Sequence, residues 1–305
     1  ALGIVVTHYP YAMGAIASLL LIGAPLLMVC FPKEQKQTWA ASYLPITFRL
    51  TGLCLRTLFS IALDLTLFPI AGGLVVMAKL WKSNFDPQDD QINKAQIPIL
   101  CLHGTEANET TLLGGVPFLK RENYGSVFTL SYDGLVIHDQ KKGPEDYVAA
   151  EGTVTKKIEE ILKKTGQSQI ILIGHSMGGL VSAEYAKAHP DKVKAVITIA
   201  TPFGGAPALK PVPKGLLPRR YKQMSVGSSY LRDLNNAVSK STVPFRNICS
   251  TIDVAVPNKS GIVSNARSTK VFTYLGHIGI IVWPGTWFQV RHWLNEIYAP
   301  ADSSV

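Results

Sequence analysis

Gly174-His175-Ser176-Met177-Gly178 places a serine between an apolar, strand-like run at 169–174 (QIILIG) and a helix-like run at 178–189 (GGLVSAEYAKAH). A serine hydroxyl is a weak nucleophile that must be both presented and activated. A sharp strand-to-helix turn presents it by lifting the side chain clear of the sheet. Such a turn is crowded, so small residues are needed two before and two after the serine. Gly174 and Gly178 stand at those positions, and Gly179 follows. The start of the helix beyond offers free amides to a developing oxyanion, and Met177, directly after the serine, carries one of them. Nucleophilic catalysis of this kind also needs an imidazole to take the serine's proton and return it to the leaving group. A carboxylate must then hold the imidazole's tautomer.

The elements that must position these groups are readable around the serine. Residues 97–103 (IPILCLH) form a continuous apolar run, as expected of a strand buried on both faces. Further strand-like runs occupy 126–132, 169–174, 193–200, 245–250 and 270–274. Over 145–165, Val154, Ile158, Ile161 and Leu162 recur at helical spacing while Lys and Glu fill the opposite face, and Gly166 is a natural stop. Pro190 closes the helix after the serine. Strands alternating with helices imply a mostly parallel sheet flanked by helices. The chain carries no internal repeat.

Residues 97–294 resemble an α/β-hydrolase of the lipase and esterase kind. The similarity rests on LHG at 102–104, GHSMGG at 174–179, ATPFGG at 200–205, DVAVP at 253–257 and GH at 276–277, in that order. The resemblance implies acyl-ester hydrolysis through a Ser-His-acid triad, without a cofactor. Seven histidines are available as the base. His8 precedes the domain, His103 belongs to the first loop, and His138 comes too early in the usual chain order. His175, inside the turn, is expected to point away from the serine, and His189 closes the following helix. His277 directly follows the last strand and reaches the top of the sheet; His292 lies in the helical stretch FQVRHWL, where packing accounts for it. Between Ser176 and His277 lie Glu184, Asp191, Asp233 and Asp253. Asp253 follows strand 245–250 at the correct edge and is the expected acid. By resemblance, Thr105, the residue after His103-Gly104, donates the second oxyanion amide alongside Met177.

The 305 residues have room for a sizeable core. With 47% hydrophobic and 17% charged residues, a disordered chain is excluded. Residues 11–31 hold twenty-one residues without a charge, about 30 Å of helix, the thickness of a bilayer's hydrocarbon core. A second apolar run, 58–78, has Asp64 as its single charge. A signal peptide does not fit, because the first run is too long and no Lys or Arg precedes it. Membrane helices, and apolar helices that pack on the catalytic domain or lie in the interface, are the readings left. The organisation expected is an apolar, membrane-associated region at 1–82, a polar linker at 83–96 and a catalytic domain at 97–305.

The net charge of +9 is concentrated in a segment expected to form a lid or cap, about 204–240. There Lys210, Lys214, Arg219, Arg220, Lys222, Arg232 and Lys240 face Asp233 alone among nearby acids. Tyr221 and Tyr230 are the segment's only aromatics and no nucleic-acid module appears, so nucleic acid is not the expected partner. A face toward anionic lipid head groups is expected instead, with Arg219 and Arg220 in it and Leu216, Leu217, Met224, Val226 and Leu231 on its apolar underside. Cys30, Cys54, Cys101 and Cys249 lie far apart and read as reduced packing residues. No His, Asp or Glu cluster has metal-ligand spacing. The reading is a membrane-associated serine hydrolase of carboxylic esters, with lipid acyl esters as the expected substrates. Its alternatives are an acyltransferase using the same triad and an idle α/β-hydrolase-fold binding module.

Overall fold

A computed structural model of the protein describes residues 58, 62, 64, 85–122, 124–132, 141–263 and 265–299. The chain divides into two compact units, Ala1–Leu63 and Asp64–Val305. In the first, Leu58 and Ala62 are described and are helical. The run at 11–31, and that at 58–78 apart from Leu58, Ala62 and Asp64, lie outside the described residues. Among the described residues no helix is long and apolar enough to cross a membrane.

The second unit is built on six strands: β1 (Ile99–Leu102), β2 (Val127–Leu130), β3 (Ile170–His175), β4 (Val193–Ile199), β5 (Phe245–Ser250) and β6 (Ser268–Phe272). They lie in the order β2-β1-β3-β4-β5-β6, and every pairing is parallel. The described helices are α1 (Val116–Arg121), α2 (Pro144–Val148), α3 (Thr153–Thr165), α4 (Met177–Ala188), α5 (Arg219–Met224), α6 (Ser229–Ser239), α7 (Asn258–Gly261), α8 (Gly279–Val282) and α9 (Pro284–Tyr298).

Alternation along the central strands explains their unbroken apolar sequences. Leu100, Leu102, Ile170 and Leu172 join one core layer, with Val154, Ile158 and Ile161 of α3 and Leu180 of α4. Ile99, Cys101, Ile171 and Ile173 join the opposite layer, with Trp287, Val290 and Leu294 of α9. A strand covered on both faces has no polar side to show, so its sequence does not alternate. Cys101 and Cys249 are buried free thiols, and burial pushes them up to about 12 and about 11.

Two elements depart from expectation. The helix expected over 145–165 is interrupted, because Ala149 turns extended and the Gly152 amide closes a tight turn on the Ala149 carbonyl at 2.7 Å. The Thr155 hydroxyl donates to the Val148 carbonyl, which α2 leaves open at its end. Gly166 does end α3, in the left-handed region at φ 71°. The last strand begins two residues earlier than its apolar run. Backbone pairing with β5 sets its register, and its exposed Thr269 and Lys270 give no apolar signal.

Candidate active site

Ser176 follows the last residue of β3 and precedes the first of α4, with φ 53° and ψ −123°. Its amide still donates to the Ile199 carbonyl of β4 at 2.8 Å, so the reversal happens within one residue. A non-glycine residue in this region costs about 1–3 kcal/mol, which the surrounding packing must hold. The glycines make the packing possible. A Cβ at Gly174 would lie 2.4 Å from the main chain of Gly178 and Gly179, and one at Gly178 would lie 2.5 Å from the Leu102 and His103 carbonyls. These contacts are with backbone, which cannot swing aside.

Three residues from separate loops meet at this turn. The Ser176 Oγ lies 3.0 Å from the Nε2 of His277, and the Nδ1 of His277 lies 2.8 Å from the Oδ2 of Asp253. Asp253 is 2% exposed, and its Oδ1 accepts the amides of Ala255 and Val256 at 2.9 and 2.8 Å. The carboxylate is therefore fixed by its own loop before it meets the imidazole. With Nδ1–H donated to Asp253, Nε2 carries the lone pair that the serine hydroxyl donates to. Burial pushes the His277 imidazole down. The charge of Asp253, its hydrogen bond and the charge of Asp64 together outweigh that and hold it above the ordinary histidine value.

His175 packs against the turn that carries His277. Its ring packs 5.0 Å from the His277 ring, and its Nε2–H donates to the His277 carbonyl at 3.1 Å. Burial, then the nearby His277 charge, lowers its pKa to about 3, so it is a neutral donor. His189 and His292 make their contacts elsewhere. His292 is on the exposed face of α9 beside Glu296, His189 packs on Tyr185, and His8 and His138 lie outside the described residues.

The loop after β1 passes directly over the serine, since a Cβ at Gly104 would lie 3.0 Å from the Ser176 Cβ. His103 stiffens this loop. Its Nδ1–H donates to the Gly104 carbonyl at 2.6 Å, its Nε2 accepts the Tyr132 amide at 3.3 Å, and its carbonyl accepts the Tyr132 hydroxyl at 2.6 Å. Thr105 follows, and then Glu106 at φ 56°. Met177 is the first residue of α4, so its amide has no partner within the helix.

Helix α5, within the segment 204–240, grips this loop. Arg220 of α5 is 0% exposed and donates to the Glu106 carboxylate from Nε and Nη2, at 3.2 and 2.8 Å. The Tyr221 hydroxyl donates to the same oxygen at 3.0 Å and also hydrogen-bonds the Thr105 side chain. The expectation that Arg220 faces lipid head groups is therefore wrong, because a guanidinium this deep needs a fixed anion and has one. Arg219, half exposed, is held by Glu145 and Asp146. Of the expected apolar underside, Leu217, Met224 and Leu231 are buried, while Leu216 and Val226 face outward. These ties escape sequence reading because Glu106 and Arg220 are 114 residues apart. Among the described residues no cluster of three His, Cys, Asp or Glu side chains could hold a metal ion. A cleft of about 270 Å³ beside Lys120, Tyr124 and Val127 opens at the opposite end of the sheet from Ser176 and contains none of these groups.

A family model described as alpha/beta hydrolase fold matches residues 138–225. A triacylglycerol lipase of Burkholderia plantarii is 28% identical over 154 residues, which cover 48% of this chain and 40% of that protein. A triacylglycerol lipase of Pseudarthrobacter phenanthrenivorans is 27% identical over 122 residues, covering 38% of this chain and 36% of that one. The chain thus spans well under half the length of these curated relatives. The mature form of the Bacillus licheniformis lipase BlEst2 superposes with a TM-score of 0.52 at 17% identity, covering 67% of this chain and 93% of that one, a likeness of fold.

Proposed function

We propose that the chain, which matches a model of the alpha/beta hydrolase fold over residues 138–225, is a hydrolase of the lipase and esterase kind that cleaves carboxylic esters, with lipid acyl esters as substrates, through Ser176, His277 and Asp253. The observation that carries the reading is the unbroken path from the Ser176 Oγ to the His277 Nε2 at 3.0 Å and from the His277 Nδ1 to the Asp253 Oδ2 at 2.8 Å. His277 takes the serine's proton as Oγ attacks the carbonyl carbon. The negative oxygen of the tetrahedral intermediate is received by the amides of Met177 and Thr105. His277 then gives its proton to the departing alkoxide, leaving Ser176 acylated. Water, deprotonated by the same imidazole, attacks the acyl-serine and releases the carboxylic acid. Asp253 keeps the proton on Nδ1 throughout and offsets the charge that forms on the ring.

The lipid part of the proposal draws on the lipase relatives and on the uncharged run at 11–31, which supports association with a membrane. A fluorophosphonate probe, with a series of p-nitrophenyl esters from acetate to palmitate, tests the whole reading. Wild-type protein is expected to be labelled and to prefer the long chains, and Ser176→Ala is expected to do neither. A folded wild type that is not labelled and cleaves no ester in the series overturns the proposal.

A further inference from the structure

Two features of the sequence have no part in the chemistry above: Asp64, the single charge in the apolar run 58–78, and Gly276, the residue before His277. The fold brings them into contact. Asp64, the first residue of the second unit, accepts the His277 amide on Oδ2 and the Gly279 amide on Oδ1, each at 2.9 Å. A Cβ at Gly276 would stand 1.9 Å from the Asp64 Oδ2 and 2.4 Å from its Cγ. Glycine at 276 is what leaves space for the carboxylate.

On the next peptide unit, the His277 carbonyl is held by His175 Nε2–H at 3.1 Å. The turn carrying His277 is therefore tied by side chains from two distant parts of the chain. Four groups face its imidazole: Ser176, Asp253, His175 and Asp64. His175 is neutral, so Asp253 and Asp64 supply the charge. Burial opposes ionisation of Asp64, and so does the nearby Asp253, while the two amide bonds and the facing imidazole favour it.

We propose that Asp64 is a positioning residue for His277, fixing the backbone of the turn that presents the imidazole and adding a second negative charge on its side of the site. The inference rests on the reading of Ser176, His277 and Asp253 as the reacting groups. A displacement of the imidazole by even 1 Å is expected to act on the chemical step rather than on substrate affinity.

The full-length protein is compared with Asp64→Asn, Asp64→Glu and Gly276→Ala, each checked for folding by thermal melting. The readouts are ester kinetics against pH and ¹⁵N titration of the His277 imidazole. Asp64→Asn removes the charge and turns an amide donor toward one of the two backbone N–H groups. It is expected to lower kcat by roughly 10–100-fold with KM little changed. It also moves the His277 titration, and with it the acid limb of the rate profile, to lower pH. Gly276→Ala displaces the carboxylate from the other side and is expected to give the same pair of effects. Asp64→Glu keeps the charge but not the reach, so the titration returns toward wild type while kcat stays low. If a folded Asp64→Asn and a folded Gly276→Ala both keep kcat within twofold and leave the His277 titration in place, the inference is overturned. If the titration moves as expected but wild type neither takes the fluorophosphonate nor cleaves esters, the positioning of His277 stands and the hydrolase reading falls.

Discussion

His277 titrates under opposing influences, and their balance sets how the protein should respond to pH. The imidazole works as a base only when neutral, and its pKa is held above the ordinary value of about 6.5. Ester hydrolysis is therefore expected to rise with pH through a value above 6.5 and to be lost as pH falls through it. A kcat/KM profile measures this limb. The same shift acts on stability with the opposite sense. The ionic contribution of His277 is fully present below about pH 6.5 and is lost as pH rises through its folded-state pKa. Asp253→Asn keeps the size of the acid but presents an amide donor to an imidazole that also needs to donate. The Nδ1 proton is then lost to the wrong tautomer, and kcat is expected to fall by about 10³–10⁴-fold with little change in KM. Steady-state kinetics on a soluble short-chain ester decide it.

At the scale of elements, the serine turn and the loop after β1 are held by different means. The turn is held by close backbone packing around glycines. The loop is held by polar contacts, from His103 and Tyr132 on one side and from Arg220 and Tyr221 of α5 on the other. The Arg220–Glu106 pair couples α5 to the loop that carries Thr105. Removing the buried arginine leaves Glu106 without its main cationic partner, and Arg220→Ala is expected to cost about 3 kcal/mol of stability. Because Thr105 is the neighbour of Glu106, kcat should fall further than the stability loss alone accounts for. Chemical denaturation together with kinetics at a temperature where the variant is fully folded separates the two. Arg220→Lys keeps the charge but not the two-pronged geometry, so it should fall between.

At the scale of the molecule, the sheet separates two apolar layers, and the larger aromatic residues anchor the one beneath α9. Trp287 is 1% exposed and its indole N–H donates to the Ile281 carbonyl at 2.7 Å. Trp287→Ala is expected to destabilise the second unit by about 3–5 kcal/mol, as read by urea unfolding. Asp64 belongs to this unit by its contacts although its sequence surroundings are those of the apolar region. A truncation at residue 82 would thus remove the apolar runs and the Asp64 contact together. Loss of activity in such a variant would not by itself report on lipid access.

Sequence alone determined the features written in local spacing. The glycines flanking Ser176 are needed within one turn, the strands covered on both faces must be apolar throughout, and Gly166 stops a helix at its own position. The chain order of the motifs also limited the partners of Ser176 to a few residues, His277 and Asp253 among them. The tertiary structure decided what depends on residues far apart in the chain. Arg220 reads as one cation in a basic stretch, yet it is buried on Glu106. His175 reads only as a residue directed away from the serine, and the structure gives it the carbonyl of His277 to hold. Asp64 reads as an acid among apolar residues, yet it binds the two amides beside the imidazole. Each of these contacts joins a side chain to a partner about a hundred or more positions away, and nothing in local periodicity encodes such a pairing; only the path of the backbone through the parallel sheet brings the partners together.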